Sequence, residues 1–464
     1  MKKAFGMAVI VLIAGVVTPC AFTQEIEPIW EFLNTSGNSP VEILKVQDGY
    51  PFDNTWFQGD SPTDSFSGLK RYDDQRLLLG IRENGIVEGA EGADEALAAE
   101  YPDRSLIWID PATGQPMGIA LVVGIAPYPL SDAYVAGGGT PDSYYFKWGV
   151  SEDGVIFVGY KNMILRYAPD GQGGFEEPAV AFEVPADGID GSGGAQYYSW
   201  RWGDVEVMGS GADTVIFAGG KTWREGHGFR KLVTDDGVNF TQTFYVPNGY
   251  GNASGGASKI IVHGGVNLDP VLYASTYPGS DGGTGTTFYR WYDFETEAVK
   301  DAELWEAQKY SAEDMESLGL DPNNVYRTSF ISDMDSADGL QYVIAYSTPS
   351  WNSYGANGGV FAPGWLAVHD VSGQEEKDGK IISYYKINTT EDTELYDLGA
   401  TDDQGNPAAT SEWHGTQGEI DVHVPSTAAE GACEILWEGG IYGYGRYVIG
   451  DIGEPVSVSE WSLF

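Results

Sequence analysis

Ser151-Glu-Asp-Gly-Val-Ile-Phe-Val-Gly159, then Met163-Ile-Leu-Arg-Tyr167, the turn Pro169-Asp-Gly171 and Val180-Ala-Phe-Glu-Val184 form the stretch that decides the fold. Each apolar run is brief, rich in β-branched and aromatic residues, and bounded by Gly, Asp or Pro, the pattern of short strands joined by tight turns. The parts recur. The first run has counterparts in Leu77-Leu-Leu-Gly80, Val215-Ile-Phe-Ala-Gly219, Val271-Leu-Tyr-Ala-Ser275, Tyr342-Val-Ile-Ala345 and Glu434-Ile-Leu-Trp437. The second, heavier in aromatics, recurs as Leu106-Ile-Trp-Ile109, Phe229-Arg-Lys-Leu-Val233, Phe288-Tyr-Arg-Trp-Tyr292 and Trp365-Leu-Ala-Val-His369. A closing strand such as Ile381-Ile-Ser-Tyr-Tyr385 completes a unit.

Four antiparallel strands per unit, repeated along the chain, predict an all-β fold, a single β-propeller of six blades. The units fall near 66–124, 143–185, 197–247, 257–307, 325–388 and 411–463, and their uneven loops leave seven blades open. Ile29-Trp-Glu-Phe-Leu33 precedes the first unit, and the last unit lacks a clear outer strand, so pairing of the two ends is expected to close the ring. Short helical insertions are predicted at Ala93–Tyr101 and at Ser311–Leu318, the second opened by the capping pattern Ser311-Ala-Glu-Asp314.

The amino terminus reads as an export signal. Met1-Lys2-Lys3 is followed by an apolar run from Ala4 to Val17, too short to span a bilayer comfortably. Ala21 and Thr23 suit cleavage near Gln24, giving a signal peptide over 1–23 and a propeller domain over 24–464. Pro19 fits a lipobox poorly, which argues against lipidation of Cys20. A secreted, extracellular or periplasmic protein is expected, and the short Lys-Lys leader has a bacterial look. The mature chain keeps one cysteine, Cys433, in an apolar run, where it reads as a small buried hydrophobe.

Charge narrows the partners. Twenty-five Lys plus Arg stand against 68 Asp plus Glu, for a net charge of −43. Such a surface repels nucleic acid and anionic membranes and keeps the chain soluble at high ionic strength. No later run is apolar enough for a membrane span.

Ser151-Glu-Asp-Gly-Val-Ile-Phe-Val158 with Ile164-Leu-Arg-Tyr-Ala-Pro-Asp-Gly171, and Ile107-Trp-Ile-Asp-Pro-Ala-Thr-Gly114, resemble blades of secreted bacterial propellers. The similar groups are the NHL-like and SMP-30-like propellers and uncharacterised surface families. The resemblance runs through blade-building residues, so it implies the fold and no activity.

Three constellations could carry chemistry. Lys147-Trp-Gly149, Arg201-Trp-Gly203 and Trp413-His-Gly415 open units, with Val262-His-Gly264 a weaker copy and Lys70-Arg71 and Arg327 at comparable points. On innermost strands, alternation would send the tryptophans between blades and Lys147, Arg201, His263, Arg327 and His414 to the channel, as a funnel for an anionic ligand or glycan. The plainer reading pairs these cations with Asp73, Asp204 and Asp333. Second, Asp333-Met-Asp335-Ser-Ala-Asp338-Gly339 reads as a Gly-ended turn with carboxylates suited to calcium, the one cofactor expected. It resembles the Asp-rich loops of integrin-type repeats but carries an extra residue before Asp338 and Tyr342 where an Asp is expected. Third, Ser350-Trp351-Asn-Ser-Tyr354 and Ile441-Tyr-Gly-Tyr444-Gly-Arg-Tyr447 either stack carbohydrate or pack loops.

No hydrolase elbow, HExxH or phosphate loop appears, so the expected function is ligand binding or a cell-surface structural role, without catalysis. The alternatives are a propeller enzyme acting on saccharides or lactones, and a self-assembling subunit of an extracellular filament or coat.

Overall fold

The computed structural model describes residues 23–33, 40, 66–81, 104–124, 146–160, 163–184, 202–220, 229–246, 257–263, 271–276, 287–291, 303–306, 330–337, 342–348, 364–370, 380–387, 419–423, 432–438 and 443–450. All are strands, turns and extended chain except one 3-10 turn at Gly211–Asp213. Both expected helical insertions lie outside the described residues.

Two short strands lead the chain, β1 (Thr23–Glu25) and β2 (Trp30–Leu33). Sheet I then comprises β3 (Phe66–Asp73), β4 (Arg76–Ile81), β5 (Ser105–Ile109) and β6 (Pro116–Val122). Sheet II comprises β7 (Phe146–Val150), β8 (Ile156–Tyr160), β9 (Met163–Tyr167) and β10 (Ala179–Glu183). Sheet III comprises β11 (Trp202–Met208), β12 (Val215–Gly220), β13 (Phe229–Thr234) and β14 (Phe240–Val246). Sheet IV comprises β15 (Ala257–His263), β16 (Val271–Thr276), β17 (Thr287–Trp291) and β18 (Glu303–Glu306). Sheet V comprises β19 (Phe330–Ala337), β20 (Tyr342–Thr348), β21 (Gly364–Asp370) and β22 (Lys380–Ile387). Sheet VI comprises β23 (Glu419–His423), β24 (Cys433–Glu438) and β25 (Gly443–Ile449), with β2 as its fourth strand.

Within each sheet the sequential strands pair antiparallel. The first strands β3, β7, β11, β15, β19 and β23 touch in cyclic order, with β23 returning to β3. The fold is an all-β propeller with four-stranded antiparallel blades. Side-chain packing is described for four of them, I, II, III and VI, and for a few residues of sheet V.

The repeated Leu-Leu-Leu or Val-Ile-Phe strand is apolar on both faces because each blade lies between two others. Leu77 and Leu79 face the seam with sheet VI, whereas Leu78 faces the seam with sheet II. Phe157 likewise packs against sheet III while Ile156 and Val158 pack against sheet I. In sheet VI, Cys433, Ile435 and Trp437 meet Ile344, Leu366 and Val368 of sheet V, and Leu436 meets sheet I. Cys433 is fully buried, as its apolar neighbourhood predicts.

Ring closure has a specific anatomy. β2 pairs antiparallel with β25, Trp30 opposite Arg446 and Leu33 opposite Gly443, so the chain's beginning supplies the outer strand missing from the last unit. The same strand grips sheet I. The Trp30 indole N–H donates to the Pro111 carbonyl at 2.9 Å, Arg446 Nη1 donates to that carbonyl at 3.0 Å, and the Tyr444 hydroxyl donates to the Gly114 carbonyl at 3.1 Å. Gly114 sits at φ +70°, and a Cβ there would meet Phe32 at 2.5 Å and Trp30 at 2.7 Å, so only glycine fits beneath the aromatic pair. Tyr447 donates its hydroxyl hydrogen bond to Glu31 across the closing strands. Burial pushes the Glu31 carboxyl above its ordinary value, and the Tyr447 bond opposes that shift.

β1 is a strand the sequence reading missed. It pairs parallel to β22, Thr23 opposite Tyr384, as a fifth strand on sheet V. Ile26, between β1 and β2, is buried in the core shared by sheets V and VI.

Trp30→Ala should lower stability by about 3–5 kcal/mol, the scale for emptying an aromatic site in a core, and in one transition for the whole ring. Urea unfolding followed by tryptophan fluorescence and circular dichroism measures it. A loss under ~1 kcal/mol would mean that β2 does not close the ring.

Candidate functional site

The inner strands run side by side. The Ser67 hydroxyl donates to the Phe146 carbonyl at 2.7 Å, and the Trp148 indole N–H donates to the Ser67 carbonyl at 2.5 Å. A Cβ on Gly149 would fall 2.6 Å from the Val205 carbonyl oxygen, so the third residue of Lys147-Trp-Gly149 is glycine because β7 and β11 approach that closely. The tryptophans of the motif lie between blades, as expected. Trp148 covers Gly80 in sheet I, and Trp202 covers Gly159 in sheet II, where a Cβ would stand 2.6 Å from the indole. An inner-strand tryptophan seated on the glycine of the preceding blade's second strand is thus the seam's repeating joint.

Lys147, second residue of β7, does not stand open in a channel. It is buried and ion-paired with Glu419, the first residue of β23, across Gly68 of the intervening β3. That carboxylate is not among the three acids the sequence suggested. Asp73 instead holds Arg76 at 2.6 Å, and an Asp204 carboxylate oxygen accepts from the Val205 amide at 2.9 Å. Lys70 lies over the Trp148 ring at 5.8 Å from its centroid.

Arg201 and Arg327 precede β11 and β19, and His414 precedes β23. All three are outside the described residues. His263 is the last residue of β15, so it stands at the far end of its strand from Lys147 in β7. The Val262-His-Gly likeness to Lys-Trp-Gly was a likeness of residues without a likeness of register, which is set by pairing Ala257 with Thr276. Asp333 and Asp335 occupy alternate positions inside β19, an inner strand where the sequence suggests a turn, and Asp338 is outside the described residues. Pairing of Asp333 with Tyr346 and Asp335 with Ile344 extends the strand through them. Among the described residues no group of three or more His, Cys, Asp or Glu side chains converges on a metal position. Tyr444 and Tyr447 of the second aromatic stretch are buried in sheet VI, which makes them packing residues; Trp351 and Tyr354 are outside the described residues.

Sequence reasoning missed a second polar centre in the seam between sheets VI and I. Glu434, fully buried on β24, accepts from Arg71 Nε at 2.7 Å, Arg71 Nη2 at 2.6 Å and Arg446 Nε at 2.5 Å. The Arg71 amide donates to Asp421 Oδ2 at 3.0 Å. Burial raises the Asp421 carboxyl, against the pull of nearby Lys70 and that amide bond. Burial, reinforced by Arg71, lowers the His423 pKa from its ordinary 6.5, against Glu434, Asp421 and Asp74. The available signal was an acid inside an apolar strand, Glu434 in Ala-Cys-Glu-Ile-Leu-Trp.

No protein-family model matches the sequence, and no curated protein matches it. Solved structures do show similarity at low identity. An α-L-arabinanase from Penicillium chrysogenum, solved with arabinobiose, is 11% identical over 91% of this chain and 98% of its own, with a TM-score of 0.44. An α-L-arabinofuranosidase from Fusarium graminearum is 10% identical over 90% of this chain and 98% of its own, also at 0.44. A gluconolactonase from Xanthomonas campestris is 10% identical over 93% of this chain and 98% of its own, at 0.38. Likeness at this level transfers no residue and no activity. Among the described residues, no helix is long and apolar enough to cross a membrane.

Lys147→Met should cost about 3–5 kcal/mol by stranding the buried Glu419 carboxylate, whereas Lys147→Met with Glu419→Leu should recover most of the loss. A double-mutant cycle in urea reads both. His423 gives a pH signature. The unfolded chain takes up its proton near pH 6.5 but the folded chain only at lower pH, so stability is present above 6.5 and falls as pH drops below it. His423→Gln should flatten the stability profile below pH 6.5; an unchanged slope would remove His423 from that role.

Proposed function

We propose that this chain is an exported, ligand-binding protein of the extracellular space, periplasm or cell surface, a single six-bladed ring that takes an anionic glycan at the end where its inner strands begin. One observation carries the reading. Every connection into an inner strand, and every connection from a second to a third strand, belongs to that end of the ring by strand order. Lys147 is the second residue of β7, Arg201 directly precedes β11, Arg327 precedes β19 and His414 precedes β23. Trp351 and Tyr354 lie between β20 and β21, and so belong to the same end. The opposite end carries compact turns such as 74–75 and 151–155.

In a chain of net charge −43, a sugar acid or sulfated sugar would be taken there through charge-assisted hydrogen bonds from these few cations, which a neutral sugar would not form. Lys147 is neutralised by Glu419 and serves the scaffold. That leaves Arg201, Arg327 and His414 as the proposed ligand contacts, with Trp351 and Tyr354 proposed for the sugar faces. His263, at the far end of β15, drops out of this set. Calcium, held by Asp333, Asp335 and Asp338, would brace the start of sheet V.

A panel of uronate-containing and sulfated glycans, screened at low and high salt, tests the reading. Binding should be salt-sensitive, and Arg201→Ala should weaken it by roughly 1–3 kcal/mol, the scale of a lost charge-assisted hydrogen bond. Binding only to neutral glycans, or none across the panel, would overturn it; turnover of a saccharide or lactone would establish the enzyme alternative instead. Added calcium should raise the melting temperature of the wild type and not of Asp335→Ala, because a ligand of the folded state stabilises by mass action. A melting temperature indifferent to calcium would remove the metal.

A further inference from the structure

We propose that the edge of β25 is a strand-acceptor site that residues 24–33 of a second copy of this chain can fill in place of the chain's own. The segment behaves as an inserted ligand. It adds a parallel strand to β22 and an antiparallel strand to β25, and it is covalently tied to sheet I only through residues 34–65. At ~3.3 Å per residue, that tie could extend roughly 100 Å, far beyond the ~22 Å radius of gyration expected of a compact chain this long. Geometry therefore permits the strand to enter a neighbouring ring while remaining attached to its own.

The slot is specific. Trp30 stacks on Phe32 with ring centroids 5.9 Å apart, and Tyr444 meets both rings edge-on or tilted at 5.9 and 5.5 Å. The Pro111 carbonyl takes the indole proton, Gly114 leaves the space beneath the rings, and Tyr447 meets Glu31. Every one of these contacts is satisfied equally by an identical strand from another molecule, which is what makes exchange of an element between copies inexpensive in free energy. The own strand has the advantage of high effective concentration, so exchange belongs to concentrated protein. Two copies each of net charge −43 repel, and salt screens that repulsion, so exchange should increase with ionic strength.

A crosslinking experiment on full-length chains reads the exchange directly. A Cβ at Gly445 would lie 3.5 Å from the Glu31 Cβ, within the span of a disulfide. Glu31→Cys and Gly445→Cys single variants, mixed at high concentration and oxidised, should yield a disulfide-linked heterodimer, several-fold more in high salt than in low. Gly445 is buried, so an exposed thiol elsewhere, Met117→Cys, should not link to it. Absence of the Glu31–Gly445 heterodimer, or equal linking by Met117→Cys, overturns the proposal. As a second readout that needs no altered slot, a fluorescent peptide of residues 24–35 should raise its anisotropy with wild-type protein, and the same peptide carrying Trp30→Ala should not. Equal signals from the two peptides also overturn it. The glycan screen is independent of this outcome.

Discussion

The pairing of β2 with β25 is the contact on which the remaining packing depends. A blade buries both faces of its middle strands only if it has a neighbour on each side, so an open array would leave two apolar faces in water. Burial of apolar area is the dominant favourable term in folding. Closing sheet VI onto sheet I covers Leu77, Leu79, Ile107 and Ile109 on one side and Leu436 and Tyr444 on the other. The aromatic pair of β2 then clamps the β5–β6 turn, whose shape Asp110 sets by accepting from the Ala112 amide at 2.9 Å and the Thr113 hydroxyl at 2.8 Å. Those same bonds hold the Asp110 carboxyl below its ordinary value.

Charge follows from the same constraint. The chain has few cations, and several of the described ones stand at seams near the closure. Arg71 and Arg446 share Glu434, Lys147 meets Glu419, and Arg76 meets Asp73 while its guanidinium lies 4.3 Å from the Trp108 ring centroid. A buried ion pair gives little net stability, since desolvation offsets attraction, but removing one partner is costly. The buried Arg71–Glu434 and Lys147–Glu419 pairs therefore tie separate blades into one arrangement more than they strengthen any blade alone, whereas Arg76–Asp73 lies within sheet I. Arg446 shows this most plainly, since it bonds Glu434 within its own sheet and the Pro111 carbonyl of sheet I. With acids so abundant on the surface, screening by salt relieves repulsion outside while leaving the buried pairs largely untouched.

The amino-acid sequence by itself determined the strands, their grouping into four-stranded units, the seam tryptophans and the closing role of Ile29–Leu33, because each depends on local alternation and turn chemistry. It also announced Cys433 as a core residue. Tertiary structure alone decided the partners and registers. Glu419 finds Lys147 far away in sequence, Glu434 joins two arginines from different sheets, and β1 borrows an edge from β22. Asp333 and Asp335 lie in a strand although their spacing suits a turn, and His263 ends its strand although its neighbours mimic a strand start. The reason is common to all five. A strand's side-chain pattern states which residues alternate, but its hydrogen-bonding partner fixes where it begins, and that partner is chosen by ring closure among residues the local sequence does not name.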